Sequence, residues 1–104
     1  MAHPIHRVTS FRTVAPYTLL VSFADGTEQR IDFKPVLKGE LFGPLLDSDI
    51  FSRVVVDQEA GTLVWPNGAD FDPATLHDWP ALRDDLIALA DTWVNAPLTK
   101  ARAR

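Results

Sequence analysis

The chain has 104 residues, 46% of them hydrophobic and 23% charged, a composition that suits one ordinary globular domain. Cysteine is absent, which excludes disulfides and thiolate chemistry. No apolar run is long enough to span a membrane, and the first residues lack the apolar stretch of a secretory leader, so a cytoplasmic protein is expected. The formal net charge is -4, and three of the 10 basic residues, Lys100, Arg102 and Arg104, lie in the last five positions. The rest of the chain sets 7 basic residues against 14 acidic ones. That balance argues against direct nucleic-acid binding, because phosphate contact needs clustered cations.

In chain order, Met1 to His6 is expected to be a frayed start. Arg7 to Val14 reads as a first strand, with Val8 and Val14 on one side and Phe11 on the other. That break of parity predicts a bulge, and Pro16 ends the strand. Tyr17, Leu19, Val21 and Phe23 alternate cleanly, and a second run follows from Thr27 to Phe33. Asp25-Gly26 suggests a two-residue hairpin turn, but that register sets Phe23, Val21 and Leu19 opposite Glu28, Arg30 and Asp32. A three-residue loop, Ala24-Asp25-Gly26, instead pairs Val21 with Gln29, Leu19 with Ile31 and Tyr17 with Phe33. The apolar set then shares one face, so this register is predicted, with Gly26 as the bulge residue.

Lys34 to Glu40 is read as a short helical turn begun by Pro35 and ended by Gly39. Leu41 to Leu46 is a second short piece, and Asp47-Ser48-Asp49 offers caps for another turn through Phe51. Leu37, Leu41, Leu45, Leu46 and Phe51 are expected to cover one face of the sheet. Val54-Val55-Val56 and Leu63-Val64-Trp65 then form a hairpin. A loop from Gln58 to Gly61 pairs Val56 with Leu63 and Val54 with Trp65 on one face, with Val55 and Val64 on the other. Pro66 lacks a donor and weakens the ladder. Asn67-Gly68 makes a turn, and Asp72 caps a helix that has Pro73 at its first position.

The last helix is expected over about 79–95, capped by Asp78 or Trp79, with Pro80 in its first turn. Leu82, Leu86, Leu89 and Trp93 recur at helical spacing; Ile87, Ala90 and Val94 widen the stripe, while Asp84, Asp85 and Asp91 face water. Asn95 and then Pro97 stop it. Residues 1–98 are read as one domain and 99–104 as a disordered basic tail.

The run Phe23-Ala24-Asp25-Gly26-Thr27, then Gly43-Pro44-Leu45-Leu46-Asp47, Phe51, Val54-Val55-Val56-Asp57, Gly61-Thr62 and Trp65-Pro66-Asn67-Gly68-Ala69-Asp70-Phe71-Asp72-Pro73 resembles the bacterial family catalogued as domain of unknown function 2442 (DUF2442). The resemblance covers roughly residues 8–76, and the tryptophan-to-proline run is its most specific part. It implies a small α+β domain. Some relatives stand alone and some are fused to a helix-turn-helix DNA-binding domain, and toxin–antitoxin-like neighbourhoods have been suggested for some. It implies no reaction.

Candidate chemistry is sparse. Asp57, Asp70 and Asp72 could gather around Mg²⁺ or Ca²⁺, but their spacing matches no EF-hand. Asp72 is better read as a cap, and Asp70 as a turn former holding amides of the Asn67-Gly68 loop. His3 and His6 have metal-ligand spacing but lack a third ligand and a rigid element. His77 beside Asp78 has the residue types of a general base with an orienting carboxylate, yet sequence neighbours rarely face each other and no nucleophile stands near. The three tryptophans are core residues or interface anchors. Neither metal nor cofactor is expected.

The expected fold is α+β: a small antiparallel sheet of hairpins with short helical turns and one longer C-terminal helix. The expected role is a small non-enzymatic protein-interaction module, the antitoxin-like or regulatory half of a gene pair. Its candidate interaction residues are Trp65, Asn67, Asp70, Phe71, Trp79 and Trp93. The partner would be a basic, co-encoded protein, or a second copy docked through the C-terminal helix. The alternatives are a DNA-associated regulatory or dimerisation domain acting through a partner, and a small-ligand or metal-dependent hydrolytic site around Trp65 to Asp72.

Overall fold

The computed structural model describes residues 6–95. His3, the basic tail, Pro97 and the side chains of Val94 and Asn95 lie outside the described residues. Three strands, β1 (Val8–Ala15), β2 (Thr18–Phe23) and β3 (Glu28–Asp32), form an antiparallel sheet in sequence order. Two short strands, β4 (Val55–Asp57) and β5 (Thr62–Val64), form a separate hairpin. Between them lie 3-10 turns at Lys34–Val36 and Gly43–Leu46 and two single-turn helices, α1 (Gly39–Phe42) and α2 (Ser48–Phe51). Helix α3 (Pro73–His77) and the long α4 (Trp79–Asn95) complete an α+β fold.

The β2–β3 register is the one the alternation dictates. Leu19 faces Ile31, Val21 faces Gln29 and Ser22 faces Glu28. Gly26 takes φ +88°, its N–H donates to the Phe23 carbonyl at 3.0 Å, and the Phe23 N–H donates to the Thr27 carbonyl at 2.9 Å. Leu19, Val21, Phe23 and Ile31 are all buried. The parity break in β1 resolves into two register shifts, one between Val8 and Ser10 and one between Thr13 and Ala15. The first brings Val8 opposite Phe23 and Phe11 opposite Val21, so both turn to the core face instead of opposing faces.

In the second hairpin Val56 faces Leu63 and Val55 faces Val64, as its loop length requires. It is tied to the first sheet where the Val8 N–H donates to the Gly61 carbonyl at 2.9 Å. The Arg7 guanidinium donates to the Gln58 carbonyl beside it.

Three expectations fail in the covering layer. Leu37, Leu45 and Phe51 are buried, but Leu41 and Leu46 point outward, because single turns present only one side to the sheet. Gly39 opens α1 at φ +83° instead of ending the preceding turn. Leu89 is 51% exposed; α4 buries Trp79 and Ala90 and rests on Leu86, Ile87 and Trp93. The helix therefore closes this chain's own core. Trp93 stacks on Phe42 with ring centres 5.4 Å apart, and Lys38 pairs with Asp91.

At Gly39 the backbone of α1 lies directly against Trp93 of α4. A Cβ placed there falls 2.6 Å from the Trp93 Cβ, whereas one placed on Gly26 meets nothing within 4 Å. Both positions have positive φ. Gly26→Ala should therefore cost about 1 kcal/mol, the left-handed penalty alone. Gly39→Ala should cost roughly 2 kcal/mol or more, because overpacking is added to that penalty. Urea unfolding of the two variants measures the difference.

Candidate functional site

Two places bring polar or aromatic side chains together: the loop from Trp65 to Pro73, and the corner between α3 and α4. The loop is closed by its own backbone. The Trp65 N–H donates to the Ala69 carbonyl and the Gly68 N–H to the Trp65 carbonyl, both at 2.9 Å. Val64 makes an isolated bridge with Asp70. The Asn67 amide serves both sides of the turn. Its Oδ1 accepts from the Ala69 N–H at 3.1 Å, and its Nδ2 donates to the Leu41 carbonyl at 2.9 Å.

The role expected of Asp70 thus belongs to Asn67, whose side chain can accept and donate at once while a carboxylate only accepts. Asp70 is exposed and accepts from no described residue. Asp72 caps α3, accepting from the Ala74 N–H at 3.0 Å, and Asp57 holds the Glu59 and Ala60 amides of its own loop.

Trp65 is 2% exposed, and its indole N–H donates to the Phe51 carbonyl at 3.1 Å. Phe71 and Trp79 are buried with it, their ring centres 5.7 Å apart and edge-on. These three candidate interaction residues are core and not surface anchors, because the loop folds its aromatic side inward onto Phe33 and Phe51. Trp93 is half-buried at the seam with α1. A surface hollow lies apart from the loop, beside β1 and α2. It is an open hollow of about 240 Å³ lined by Tyr17, Phe51, Ser48 and Ser52 among others.

The corner between α3 and α4 carries the group that sequence reasoning set aside. His77 Nδ1 lies 2.9 Å from Asp78 Oδ1, and Nε2 lies 2.8 Å from Asp25 Oδ2. With a carboxylate on each nitrogen, the protonated ring is the form that donates to both. The Asp78 hydrogen bond, then that of Asp25, raises the His77 pKa above its usual value. The Thr27 hydroxyl and amide, with His77 behind them, hold Asp25 far below the usual carboxylate range.

Gln29 Nε2 donates to the His77 carbonyl at 2.7 Å, and Phe23 meets the imidazole edge-on. His6 stacks on it with ring centres 3.7 Å apart, so the expected frayed start is packed at His6. The cluster joins the β2–β3 hairpin tip, the start of the described chain and the helix corner. Asp25 and His77 are 52 positions apart, and nothing in their spacing announces the contact. Asp78 faces His77 because the chain turns sharply between two helices there.

Chemically the corner is a clamp with no free base: both imidazole nitrogens are engaged. Among the described residues no serine or threonine hydroxyl bonds to His77. Asp57, Asp70 and Asp72 join no cluster of three or more metal-ligating side chains; the described residues contain one such cluster, His6, His77 and Asp78. No described helix is long and apolar enough to cross a membrane.

The family described as "Protein of unknown function (DUF2442)" matches residues 8–80, which include the tryptophan loop, α3 and the His77–Asp78 pair. The chain belongs to the DUF2442 family. No curated protein and no solved structure matches it. In this DUF2442 chain α4 lies almost wholly beyond the matched segment, yet it supplies Trp79, Ala90 and Trp93 to the same core.

The clamp has a pH signature. A histidine whose pKa is raised on folding contributes fully below its unfolded value, about 6.5, and that contribution is lost as pH rises through the folded-state value. Asp25 works in the opposite sense: its contribution is full above about pH 4 and lost in acid. Chemical denaturation of wild type and His77→Gln across pH should show a stability gap that is widest below about pH 6.5 and narrows in alkali.

Proposed function

We propose that this domain is a non-enzymatic protein-interaction module, the regulatory, antitoxin-like half of a bacterial gene pair, and that its partner is a basic protein encoded beside it. One surface feature supports this reading most. Asp85, Leu89 and Trp93 follow one another at i, i+4 spacing along α4 and so share one side of the helix. Trp93 stacks on Phe42, and Leu41 precedes Phe42 in α1, 47% exposed. Leu41 and Leu89 are thus exposed apolar side chains on the two helices that the Phe42–Trp93 stack joins, and Glu40 and Asp85 are exposed on the same two helices; this seam is the surface the reading assigns to the partner.

The charge pattern supports a basic partner. Most of the 14 acidic side chains cap turns or pair with described cations, as Asp32, Asp47, Asp57 and Asp72 do by accepting backbone amides. Glu40 and Asp85 accept nothing from a described residue and are available to an incoming lysine or arginine. An apolar centre with a charged rim is the usual anatomy of a specific interface. The engaged nitrogens of His77 are consistent with a binding role. A cytoplasmic setting accords with the cysteine-free composition.

Leu41→Glu/Leu89→Glu replaces exposed side chains and should leave the thermal midpoint nearly unchanged. Co-expressed with the products of its neighbouring genes, the wild type should retain one basic partner that the double variant loses by at least about 10-fold in affinity, a difference of about 1.4 kcal/mol. Equal retention by both proteins would overturn the reading. So would a wild-type homodimer in sedimentation that the double variant dissociates, since the seam would then be a self-interface.

A further inference from the structure

We propose that His6, His77 and Asp78 form a binding site for a divalent transition-metal ion of the Zn²⁺ class, with Asp25 as the supporting carboxylate behind His77. A nitrogen from each histidine and a carboxylate oxygen of Asp78 all lie within 4.8 Å of one another. The two imidazoles make the set favour Zn²⁺, Co²⁺ or Ni²⁺ over Mg²⁺ and Ca²⁺, which prefer oxygen ligands alone. The site goes beyond the interaction seam, which shares none of these side chains.

The His77–Asp78 edge already has nearly the required span. Nδ1 and Oδ1 are 2.9 Å apart. Around a tetrahedral zinc, with metal–ligand bonds of about 2.0–2.1 Å, two such atoms stand about 3.3 Å apart. An ion therefore replaces the shared proton, which leaves to solvent, with a widening of a few tenths of an ångström. The opposite face of the ring is already set for ligation. A metal-bound histidine usually gives its second N–H to a carboxylate, which fixes tautomer and orientation. Here Asp25 accepts from Nε2 at 2.8 Å, and Gln29 fixes the His77 backbone carbonyl. Asp25 is itself held by the Thr27 amide and hydroxyl.

His6 is the movable ligand. Two rings stacked 3.7 Å apart at 14° aim their in-plane lone pairs side by side, so they cannot converge on one ion as they stand. His6 has no hydrogen bond to a described residue, and rotation about its side-chain bonds swings a nitrogen toward the Nδ1–Oδ1 edge. The other three residues hold their places. Three protein ligands leave a fourth tetrahedral position for water.

The test uses the full chain, stripped with chelator and titrated with Zn²⁺ by calorimetry slightly above neutral pH, with Co²⁺ absorption reporting geometry. Wild type should bind one equivalent and give the intense visible bands of tetrahedral Co²⁺. His6→Ala and His77→Gln should each weaken binding at least about 10-fold, and Asp25→Asn by about 10- to 100-fold. His6 precedes β1, so His6→Ala keeps the test valid should His77→Gln unfold, and His3→Ala should bind as wild type does. Absence of binding by wild type overturns the proposal. So does wild-type affinity in His6→Ala or in folded His77→Gln, or a loss of binding in His3→Ala.

Discussion

Phe33 is the point on which the layers of this domain meet. Fully buried immediately after β3, it contacts Phe51, Trp65, Phe71 and Trp79 at ring-centre distances of 5.4–6.0 Å. Those four rings come from α2, the loop between β5 and α3, which supplies both Trp65 and Phe71, and the start of α4. None of the small elements could bury an apolar face alone; α1 and α2 are single turns, and β4 and β5 have three residues each. Such short pieces are marginal in isolation and persist here because they share one aromatic centre. Edge-on and tilted ring pairs suit the charge distribution of aromatic faces and add to the area they bury. The Trp65 indole N–H finds the Phe51 carbonyl, so the largest ring in the core carries no unpaired donor.

This arrangement explains why the most recognisable stretch of the chain is architecture. Pro66 and Gly68 shape a tight loop, Asn67 pins it to α1, and Trp65 and Phe71 turn inward on either side. Its acidic residues follow the same logic. Asp57 and Asp72 hold amides, while Asp70 lies outside any cluster. The polar grouping with chemical potential sits instead at the far corner, where His6, Asp25 and the His77–Asp78 pair join three separate parts of the chain.

Much of this was legible in the sequence where a physical rule left one solution. The β2–β3 register followed from keeping Leu19, Val21 and Ile31 on one face, and the Gln58–Gly61 loop length set the second hairpin. Asp72-Pro73 marked the start of α3 because both residues favour the same few positions. Contacts between distant segments were not legible. The packing of Gly39 on Trp93 depends on how α1 crosses α4, and the Asp25–His77 bond joins residues that no local pattern relates. Leu89 fits the helical repeat yet faces outward, since periodicity gives a stripe and not the width of the surface that covers it. Asn67 holds the role expected of Asp70 because both are turn formers, and only the needed donor tells them apart.

The central claim is that the Trp65 loop is a rigid part of the core. The exchange rates of the tryptophan indole protons, followed by nuclear magnetic resonance in deuterated buffer, test it directly. Buried hydrogen-bonded groups exchange only through large-scale opening, whereas groups in mobile loops exchange through local fluctuations. The Trp65 indole proton should exchange at the rate set by global unfolding and slow further whenever the protein is stabilised. Rapid exchange that is insensitive to global stability would contradict the account and make the loop a mobile surface element.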